Sequence, residues 1–274
     1  MSALAETGDA PSLQRARGRV AASVTASGGP LRLGRLHQSG CLKLRFPRLA
    51  DRSLEGVLIN TAGGLTGGDR VEQAYAVGEG AALTVTTQAA ERIYRASADE
   101  ARVLSRLEVA EAATLAFLPQ ETILFDGGRL RRRLEVDLAA SSRLLLCESV
   151  ILGRTLMGET VRDGLIHDSW RVRRDGRLVF AEELRLGGAI DRLAAGPATL
   201  AGHRAFATLL VQDPAAEALL GEARALLPAA GGASLVAGLL VLRLAAPTGF
   251  ELRRRLVPLI AALAKRPLPR VWSL

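Results

Sequence analysis

The sequence predicts a mainly β protein with two α-helices near its C-terminus, and three observations support this fold class. Apolar and polar residues alternate from Arg17 to about Val211, Gly, Pro or Asp residues interrupt the alternation, and helical periodicity appears only beyond that point. Alternation with a period of two indicates strands with one buried face, and turn signals every ~8–12 residues favour antiparallel strands. Many strands followed by a helix, a strand and a helix indicate a mainly β or α+β class rather than alternating βαβ units.

The strand prediction rests on short segments in which one face is apolar. Residues 19–27 place valine and alanine on one face, and residues 82–88 place Leu83 and Val85 opposite threonines. Residues 129–138 place leucine and valine on one side and charged residues on the other. Each segment therefore predicts a strand with one face in water.

Two helices are predicted after the strands. Asp213 is the expected N-cap of the first, with Pro214 at its first position and Pro228 beyond its end. Thr248 opens the second with a Thr-x-x-Glu capping box, and Pro258 in its interior predicts a kink or break near residue 254. Residues 234–244, between the helices, are predicted to form one buried strand.

The domain organisation follows from composition. Residues 1–16 are predicted to be a flexible tail and residues 17–274 a single domain, because no repeat or linker divides the chain and 49% of its residues are apolar. No secretory signal is recognised, and the longest apolar run, residues 233–242, is about half of the ~20 residues that span a bilayer. A cytoplasmic location is expected, and Cys41 and Cys147 permit one disulfide that a chain of this size does not need.

The chain is strongly basic, with a net charge of +8 and arginine clusters at residues 131–133, 171–174 and 253–255. This balance favours an acidic partner, either nucleic acid, a lipid surface or an acidic protein. An Arg-rich nucleic-acid-binding protein is therefore an alternative function, although Tyr75, Tyr94 and Trp170 are sparse for base stacking.

A glycine-rich stretch, NTAGGLTGGD at residues 60–69, resembles a ligand-binding loop at first sight. A phosphate-binding loop needs Lys-Ser/Thr after its last glycine and then a helix, whereas Asp69, Arg70 and a strand-like segment follow here. The stretch is instead predicted to be a turn between strands. The expected structural glycines are Gly63, Gly64, Gly67 and Gly68.

No motif predicts catalysis or a closed metal site. His37 and Cys41 lack a third ligand nearby, and the sequence contains no HExxH, CxxC or GxSxG. Four acidic residues nevertheless lie within apolar segments, beside turns. Each is expected either on the solvent-exposed face of a strand or in an internal polar channel. These acids are Glu121, Glu148, Glu159 and Glu182. A hydrolase with Glu148 or Glu159 as general base has only isolated acids to support it.

Five segments, spread in order over most of the chain, resemble the urease accessory protein UreD family, called UreH in some organisms. They are NTAGGLTGGDR at 60–70, TTQAAERIYR at 86–95, LPQETILFDGG at 118–128, GRTLMGE at 153–159 and PRVWSL at 269–274. The resemblance implies a mainly β fold with strands stacked as in a β-helix and two late helices. It also implies a maturation factor rather than an enzyme, which binds apo-urease and UreF, and UreG through UreF. Neither nucleic acid nor a membrane is an expected partner.

The resemblance further implies that nickel is passed to the urease active site, with no permanently bound cofactor. Oxygen ligands give weak, exchangeable nickel binding, as a passage requires. If nickel passes through the protein, the polar residues expected along its path are Asn60, Asp69, Thr86, Thr87, Gln88, Glu121, Glu148, Glu159 and Glu182.

Overall fold

The computed structural model describes residues 14–26, 30–50, 53–154 and 157–273, so most of the predicted tail lies outside the described residues. These residues form seventeen strands and three α-helices. The strands are β1 (Arg17–Thr25), β2 (Arg32–Gly40), β3 (Leu42–Arg45), β4 (Glu55–Asn60), β5 (Arg70–Val77), β6 (Ala82–Thr87), β7 (Glu91–Ile93), β8 (Ala101–Val109), β9 (Thr114–Leu118), β10 (Thr122–Leu124), β11 (Arg129–Leu138), β12 (Arg143–Leu152), β13 (Gly164–Arg174), β14 (Arg177–Gly188), β15 (Ala205–Gln212), β16 (Gly231–Val236) and β17 (Leu239–Ala246). The helices are α1 (Ile190–Ala195), α2 (Ala216–Leu226) and α3 (Gly249–Ala264), and a 3-10 turn follows at Arg270–Trp272.

The strands form two facing sheets. One sheet has the order β14-β13-β11-β8-β5-β1-β2, and the other has the order β16-β17-β15-β12-β9-β6-β4-β3. Two short strands, β7 and β10, extend the second sheet beside β12. From β4 to β13 the longer strands alternate between the sheets, so the chain winds as stacked coils of a β-solenoid.

The mainly β class and the stacking of strands are confirmed, but the direction of the central strands differs from the expectation. β5, β8, β11 and β13 pair in parallel, as do β4, β6, β9 and β12. Antiparallel pairs lie toward the ends of the sheets, for example β13 with β14 and β15 with β17. Alternation reports which face of a strand is buried, and it carries no information about the direction of the neighbouring strand.

Two apolar cores hold the fold together. The larger core lies between the sheets and includes Tyr75, Leu107 and Leu134. The smaller core lies between the outer face of the second sheet and helices α2 and α3, and it includes Cys147 and Leu256. The two faces of the second sheet are therefore both buried at β12, whereas outward-facing residues of the first sheet, such as Arg102 and Arg131, are exposed.

Both predicted C-terminal helices are present, with corrections at their ends. Thr248 caps α3 as expected, because its Oγ1 accepts a hydrogen bond from the backbone N–H of Glu251 at 3.2 Å. The first helix begins at Ala216 rather than Pro214, since Asp213 accepts from the N–H of Ala215 and closes a preceding turn instead. Helix α3 continues through Pro258 to Ala264, so the expected break does not occur.

The single strand predicted at residues 234–244 is instead the hairpin of β16 and β17. Ala237 and Gly238 form its turn with φ of 48° and 78°, and two such residues in succession are typical of a tight hairpin turn. The apolar run concealed this turn because Ala-Gly is a weak turn signal. Within the described residues no helix combines the length and the apolar character needed to cross a membrane. Cys41 and Cys147 are both free thiols.

Candidate functional site: an internal polar cavity

Three charged side chains meet between the two sheets. Arg132 of β11 and Asp168 of β13 occupy directly paired positions, and Glu148 of β12 faces them from the second sheet. The Nε of Arg132 donates to Oδ1 of Asp168 at 2.6 Å, and its Nη2 donates to Oδ2 of the same carboxylate. Nη1 of Arg132 also donates to Oγ1 of Thr122 at 3.3 Å. The arginine therefore pairs with Asp168 through two parallel bonds, which is its strongest mode of carboxylate binding.

Glu148 is held differently from Asp168. Its Oε2 lies 3.1 Å from Nη2 of Arg132, close enough for an ion pair, yet this buried oxygen accepts no hydrogen bond from any described residue. Burial raises the pKa of Glu148 to about 7, against the lowering effect of Arg132 and with a further rise caused by Asp168. A carboxyl with this pKa exchanges its proton near neutral pH and retains an oxygen for another positive group.

A cavity of about 70 Å³ adjoins this cluster. A site of about 10–15 Å³ measured in this way holds one water molecule, so several waters or a partly hydrated ion fit. Its polar wall residues come from both sheets and from the segment before β10. They are Glu72, Gln73, Thr87, Glu91, Gln120, Thr122, Arg132 and Glu148.

The internal cavity shares wall residues with a pocket at the surface. Leu58, Thr87 and Glu91 line both spaces, and the surface pocket measures about 240 Å³. Asn60 lies in the surface pocket, where its Nδ2 donates to both carboxylate oxygens of Glu91 at 3.2 and 3.1 Å. Burial raises the pKa of Glu91, although the hydrogen bond from Asn60 opposes the rise. A second acid with a raised pKa thus lies where the surface pocket meets the interior.

Four of the residues predicted along an internal path line these two spaces. Glu148 lines the internal cavity, Thr87 lines both spaces, and Asn60 and Gln88 line the surface pocket. Gly63 and Gly64 form part of the surface pocket as well. The structure therefore brings part of the glycine stretch and Glu148 to two spaces that share wall residues.

Asp69, in contrast, does not line either space. Its Oδ1 accepts from the N–H of Ala16 at 2.8 Å, and its Oδ2 accepts from the N–H of Thr66 at 2.8 Å. The side chain is buried, with 3% of the residue exposed. Both oxygens are therefore occupied by backbone donors, which join the start of β1 to the glycine turn.

Thr86 and Glu121 point to the outer face of the second sheet and bind the C-terminal segment. Oγ1 of Thr86 accepts from Nε1 of Trp272 at 3.2 Å. Glu121 pairs with Nη1 of Arg253 at 3.0 Å, and Nη2 of Arg253 donates to the carbonyl of Trp272 at 2.8 Å. These contacts explain the local structure of the terminal PRVWSL segment, and they lie on the opposite side of the sheet from the cavity.

Glu159 and Glu182 lie outside the cavity and form ion pairs near the surface. Burial alone would raise the pKa of Glu159, but hydrogen bonds from the side chain and backbone of Arg154 and from the backbone of Asp126 lower it. Oε2 of Glu182 accepts from Nη2 of Arg243 at 2.5 Å. Each of these acids is already neutralised by an arginine.

The glycine stretch has backbone geometry that excludes larger residues at two positions. Gly64 has φ of 147°, and a Cβ there would clash with the ring of Tyr94 and lie 2.8 Å from the carbonyl oxygen of Arg92. A Cβ on Gly67 would overlap the carbonyl oxygen of Ala98. Close approach of neighbouring segments therefore requires glycine at both positions.

Sequence reasoning missed Arg132, Asp168 and Glu91, although two of them carry a readable signal. Arg132 lies between Leu130 and Leu134 on the apolar side of its strand, and Asp168 lies in the same way between Ile166 and Trp170. A charged residue on the apolar face of a predicted strand indicates a buried partner of opposite charge. Within the described ranges no group of three or more His, Cys, Asp or Glu residues is placed to hold a metal ion.

The fold and the cavity define a β-solenoid protein whose charged cluster lies inside the stack of strands rather than in a surface cleft. The family model described as UreD urease accessory protein matches residues 15–273. The chain therefore belongs to the UreD urease accessory protein family, and this membership supports a role in urease maturation.

Individual relatives agree with the family assignment over nearly the whole chain. The chain is 51% identical over 263 residues to a urease accessory protein UreD of Rhizobium leguminosarum bv. viciae, covering 95% of this chain and 96% of the relative. It is 50% identical over 273 residues to the protein of the same description from Rhizobium leguminosarum bv. trifolii, covering 99% of both. A relative from Methylobacterium sp. (strain 4-46) with that description is 47% identical over 272 residues, covering 96% of both.

Proposed function

We propose that this chain is a cytoplasmic, non-catalytic maturation factor that binds apo-urease together with UreF, and UreG through UreF, and passes nickel through its interior toward the urease active site. The observation that supports the passage is the buried Oε2 of Glu148, which accepts no hydrogen bond from the described residues, in a residue that lines a cavity adjoining a surface pocket.

The charge balance of the cluster favours a cation in the cavity. Arg132 is matched by Asp168 through two hydrogen bonds, which leaves the charge of Glu148 only partly compensated. An incoming cation takes the place of the proton that Glu148 holds near neutral pH. Because proton and cation compete for one carboxylate, binding is weak and reversible, as transfer to another protein requires.

A second acidic residue, Glu91, lies between the internal cavity and the surface. Glu91 contacts both spaces, and its carboxylate is held by Asn60 rather than by an arginine. Oxygen ligands from Glu91, Thr87, Gln73 and Glu148 would meet an ion in turn. Several weak sites in series admit an ion and release it, whereas one strong site would retain it. In this proposal nickel is a cargo and forms no permanent part of the protein.

Urease activation in cells tests the proposal. A strain that lacks this gene is complemented with wild type, Glu148→Gln or Glu108→Gln, and urease activity is measured at limiting nickel. We expect Glu148→Gln to reduce activation on the order of tenfold, in line with the loss of a residue that supports metal binding. Glu108→Gln is the matched control because Glu108 is exposed on β8 and lines neither space, and it should activate as wild type does.

Two results would contradict two separate parts of the proposal. Full activation by Glu148→Gln at limiting nickel would contradict the internal passage, and full activation without the gene would contradict the maturation role.

The partners are tested separately by co-purification of the tagged chain with co-expressed urease subunits, UreF and UreG. Retention of UreG without UreF would contradict the proposed order of contacts.

A further inference from the structure

An arginine of helix α3 is surrounded by oxygen atoms from two distant segments of the chain. Nη1 of Arg253 donates to Oε1 of Gln120 at 3.0 Å and to the two carboxylate oxygens of Glu121 at 3.0 and 3.3 Å. Nη2 donates to the backbone carbonyls of Val271 at 3.2 Å and of Trp272 at 2.8 Å. We call these five oxygens the oxygen cage.

The oxygen cage has the composition of a cation site. Its contacts to Arg253 come from two nitrogens that together have four N–H groups, so the acceptors outnumber the donors. Carboxylate, amide and carbonyl oxygens are also the ligands that hard divalent cations prefer, and such cations take six or more of them. With a single carboxylate, the cage would bind an ion weakly and release it, as a transferred cargo requires.

The oxygen cage is held together by contacts that do not involve Arg253. Nε2 of Gln120 donates to the carbonyl of Val271 at 2.7 Å, which joins the two segments directly. Nε1 of Trp272 donates to the carbonyl of Leu118 at 3.2 Å and fixes the terminal turn against the sheet. The oxygens of the cage therefore stay near one another when the arginine side chain leaves.

The arginine is the more exposed partner of the ion pair in the cage. Its side chain is 21% exposed, against 8% for Glu121, so it has a path to solvent. Its departure alone would leave the Glu121 carboxylate buried without a positive partner, which is costly. A divalent cation in its place removes this cost. We propose that Arg253 occupies a divalent-cation site, and that such a cation takes the oxygen cage when the arginine side chain turns into solvent.

The oxygen cage shares a residue with the internal cavity. Gln120 lines that cavity, and its backbone N–H donates to Oγ1 of Thr87, which lines both the cavity and the surface pocket. An ion that leaves Glu148 would therefore meet Gln120 and then Glu121, on the side of the second sheet that α3 covers. This order of contacts rests on the proposed passage, whereas binding of a cation by the cage does not.

Manganese and two tryptophan signals test the cage in the full chain. Mn²⁺ prefers oxygen ligands, and as a paramagnetic ion it broadens the NMR signals of nearby protons. The chain has two tryptophans. Trp272 contributes to the cage and Trp170 lies near Glu148, so their indole N–H signals report separately on the cage and on the cavity.

The test variant is Arg253→Ala, which removes the internal cation. Arg255→Ala is the matched control, because it removes the same charge from an exposed position on the same helix. Arg253→Ala/Glu121→Gln removes the carboxylate of the cage as well. Arg253→Gln is a milder variant that keeps an amide donor for Glu121.

We expect the Trp272 signal of Arg253→Ala to broaden at about tenfold lower Mn²⁺ than that of wild type, because the arginine no longer competes for the cage. Arg253→Gln should change in the same direction, and Arg255→Ala should respond as wild type does. The gain should disappear in Arg253→Ala/Glu121→Gln. A response of Arg253→Ala and Arg253→Gln equal to that of wild type would overturn the proposal, and so would a gain that survives Glu121→Gln.

The thermal midpoint gives a second measurement, because Arg253→Ala leaves Glu121 unpaired and loses stability. A ligand that binds only the folded state raises the midpoint. Mn²⁺ should therefore raise the midpoint of Arg253→Ala more than that of wild type or Arg255→Ala, and an equal rise would overturn the proposal.

Glu148→Gln separates the cage from the passage. Added to Arg253→Ala, it should leave the broadening of Trp272 unchanged, so the cage stands even if urease activation contradicts the passage through Glu148. Loss of the Trp272 response in this double variant would mean that Glu148 holds the ion, and it would overturn the cage.

Discussion

Asp69 and Glu148 are both buried acids between apolar segments, yet their surroundings give them opposite chemistry. Asp69 uses both oxygens to accept backbone N–H groups at 2.8 Å and faces neither cavity. Glu148 faces the internal cavity, keeps one oxygen without a hydrogen-bond donor in the described residues, and has its pKa raised to about 7. A buried carboxylate is therefore available for a cation only when backbone N–H groups do not already occupy its oxygens.

The largest expected effect comes from removing the cation that holds the acids beside Glu148. Arg132→Met leaves Asp168 and Glu148 buried without their shared positive partner. Breaking a buried pair from one side costs about 3–5 kcal/mol, and we expect a loss of that size in the free energy of unfolding. Urea denaturation measures it. The triple variant Arg132→Met/Asp168→Leu/Glu148→Gln should recover much of the loss, and failure to recover would argue against an electrostatic cause.

Asp69→Ala should be the next most damaging change, because it leaves the N–H groups of Ala16 and Thr66 without their acceptor. An unsatisfied buried donor costs about 1–3 kcal/mol, so we expect a loss of roughly 3 kcal/mol from the two together. Asp69→Asn retains one acceptor oxygen and should lose about half as much. A thermal midpoint for Asp69→Ala equal to that of wild type would show that the carboxylate is not structural.

The pH dependence of stability distinguishes Glu148 from an ordinary acid. Its pKa is about 7 in the folded state and about 4.3 in the unfolded chain, so the folded state binds more protons between these values. The stability contributed by the protonated form is present below the unfolded pKa and is lost as the pH rises through about 7. We expect Glu148→Gln to reduce the fall in unfolding free energy between pH 5 and pH 8, on the order of 2 kcal/mol. An unchanged pH profile would contradict the raised pKa.

Two neighbouring glycines test whether the mouth of the surface pocket depends on close packing. Gly64→Ala introduces a Cβ against the Tyr94 ring, whereas Gly63, with φ of 75°, has no atom within 4 Å of its Cβ position. We expect losses of about 2 kcal/mol for Gly64→Ala and about 1 kcal/mol for Gly63→Ala, the latter from backbone strain alone. Chemical denaturation compares them, and a larger loss at Gly63 would reverse the interpretation.

The smallest effect is expected for an exposed ion pair between β8 and β11, the strand that also carries Arg132. Arg106 of β8 contacts Glu135 of β11 at 3.0 Å, with 48% and 22% of the two side chains exposed. Solvent screens such a pair, so Arg106→Gln should change the unfolding free energy by less than about 1 kcal/mol. A loss comparable to that of Arg132→Met would mean that burial does not account for the difference between the two arginines.

The sequence predicted features that depend on local chemistry. The mainly β class, the two late helices and the Thr248 cap all follow from residues within a few positions of one another. The parallel direction of the central strands and the turn at Ala237 and Gly238 were not predicted. They depend on how distant strands meet, and a period-two pattern is the same for either direction.

The path of polar residues expected from the sequence stays a prediction, but the structure shows where its members lie. Glu148, Thr87, Gln88 and Asn60 line the internal cavity or the surface pocket, whereas Asp69 lines neither. The partner of Asp69, the backbone of Ala16, lies 53 residues away in sequence, so its use could not be read from spacing. Arg132 and Asp168 were visible as charges on the apolar face of their strands, and that signal would have identified the cluster.

Urease activation at limiting nickel by Glu148→Gln and Asp69→Asn, compared at equal amounts of folded protein, tests the contrast between the two acids most directly. We expect a loss on the order of tenfold for Glu148→Gln, in the range seen when groups that support metal binding are removed. We expect wild-type activation for Asp69→Asn once its lower stability is taken into account. Full activation by Glu148→Gln together with a loss specific to Asp69→Asn would contradict the proposed roles of the two acids.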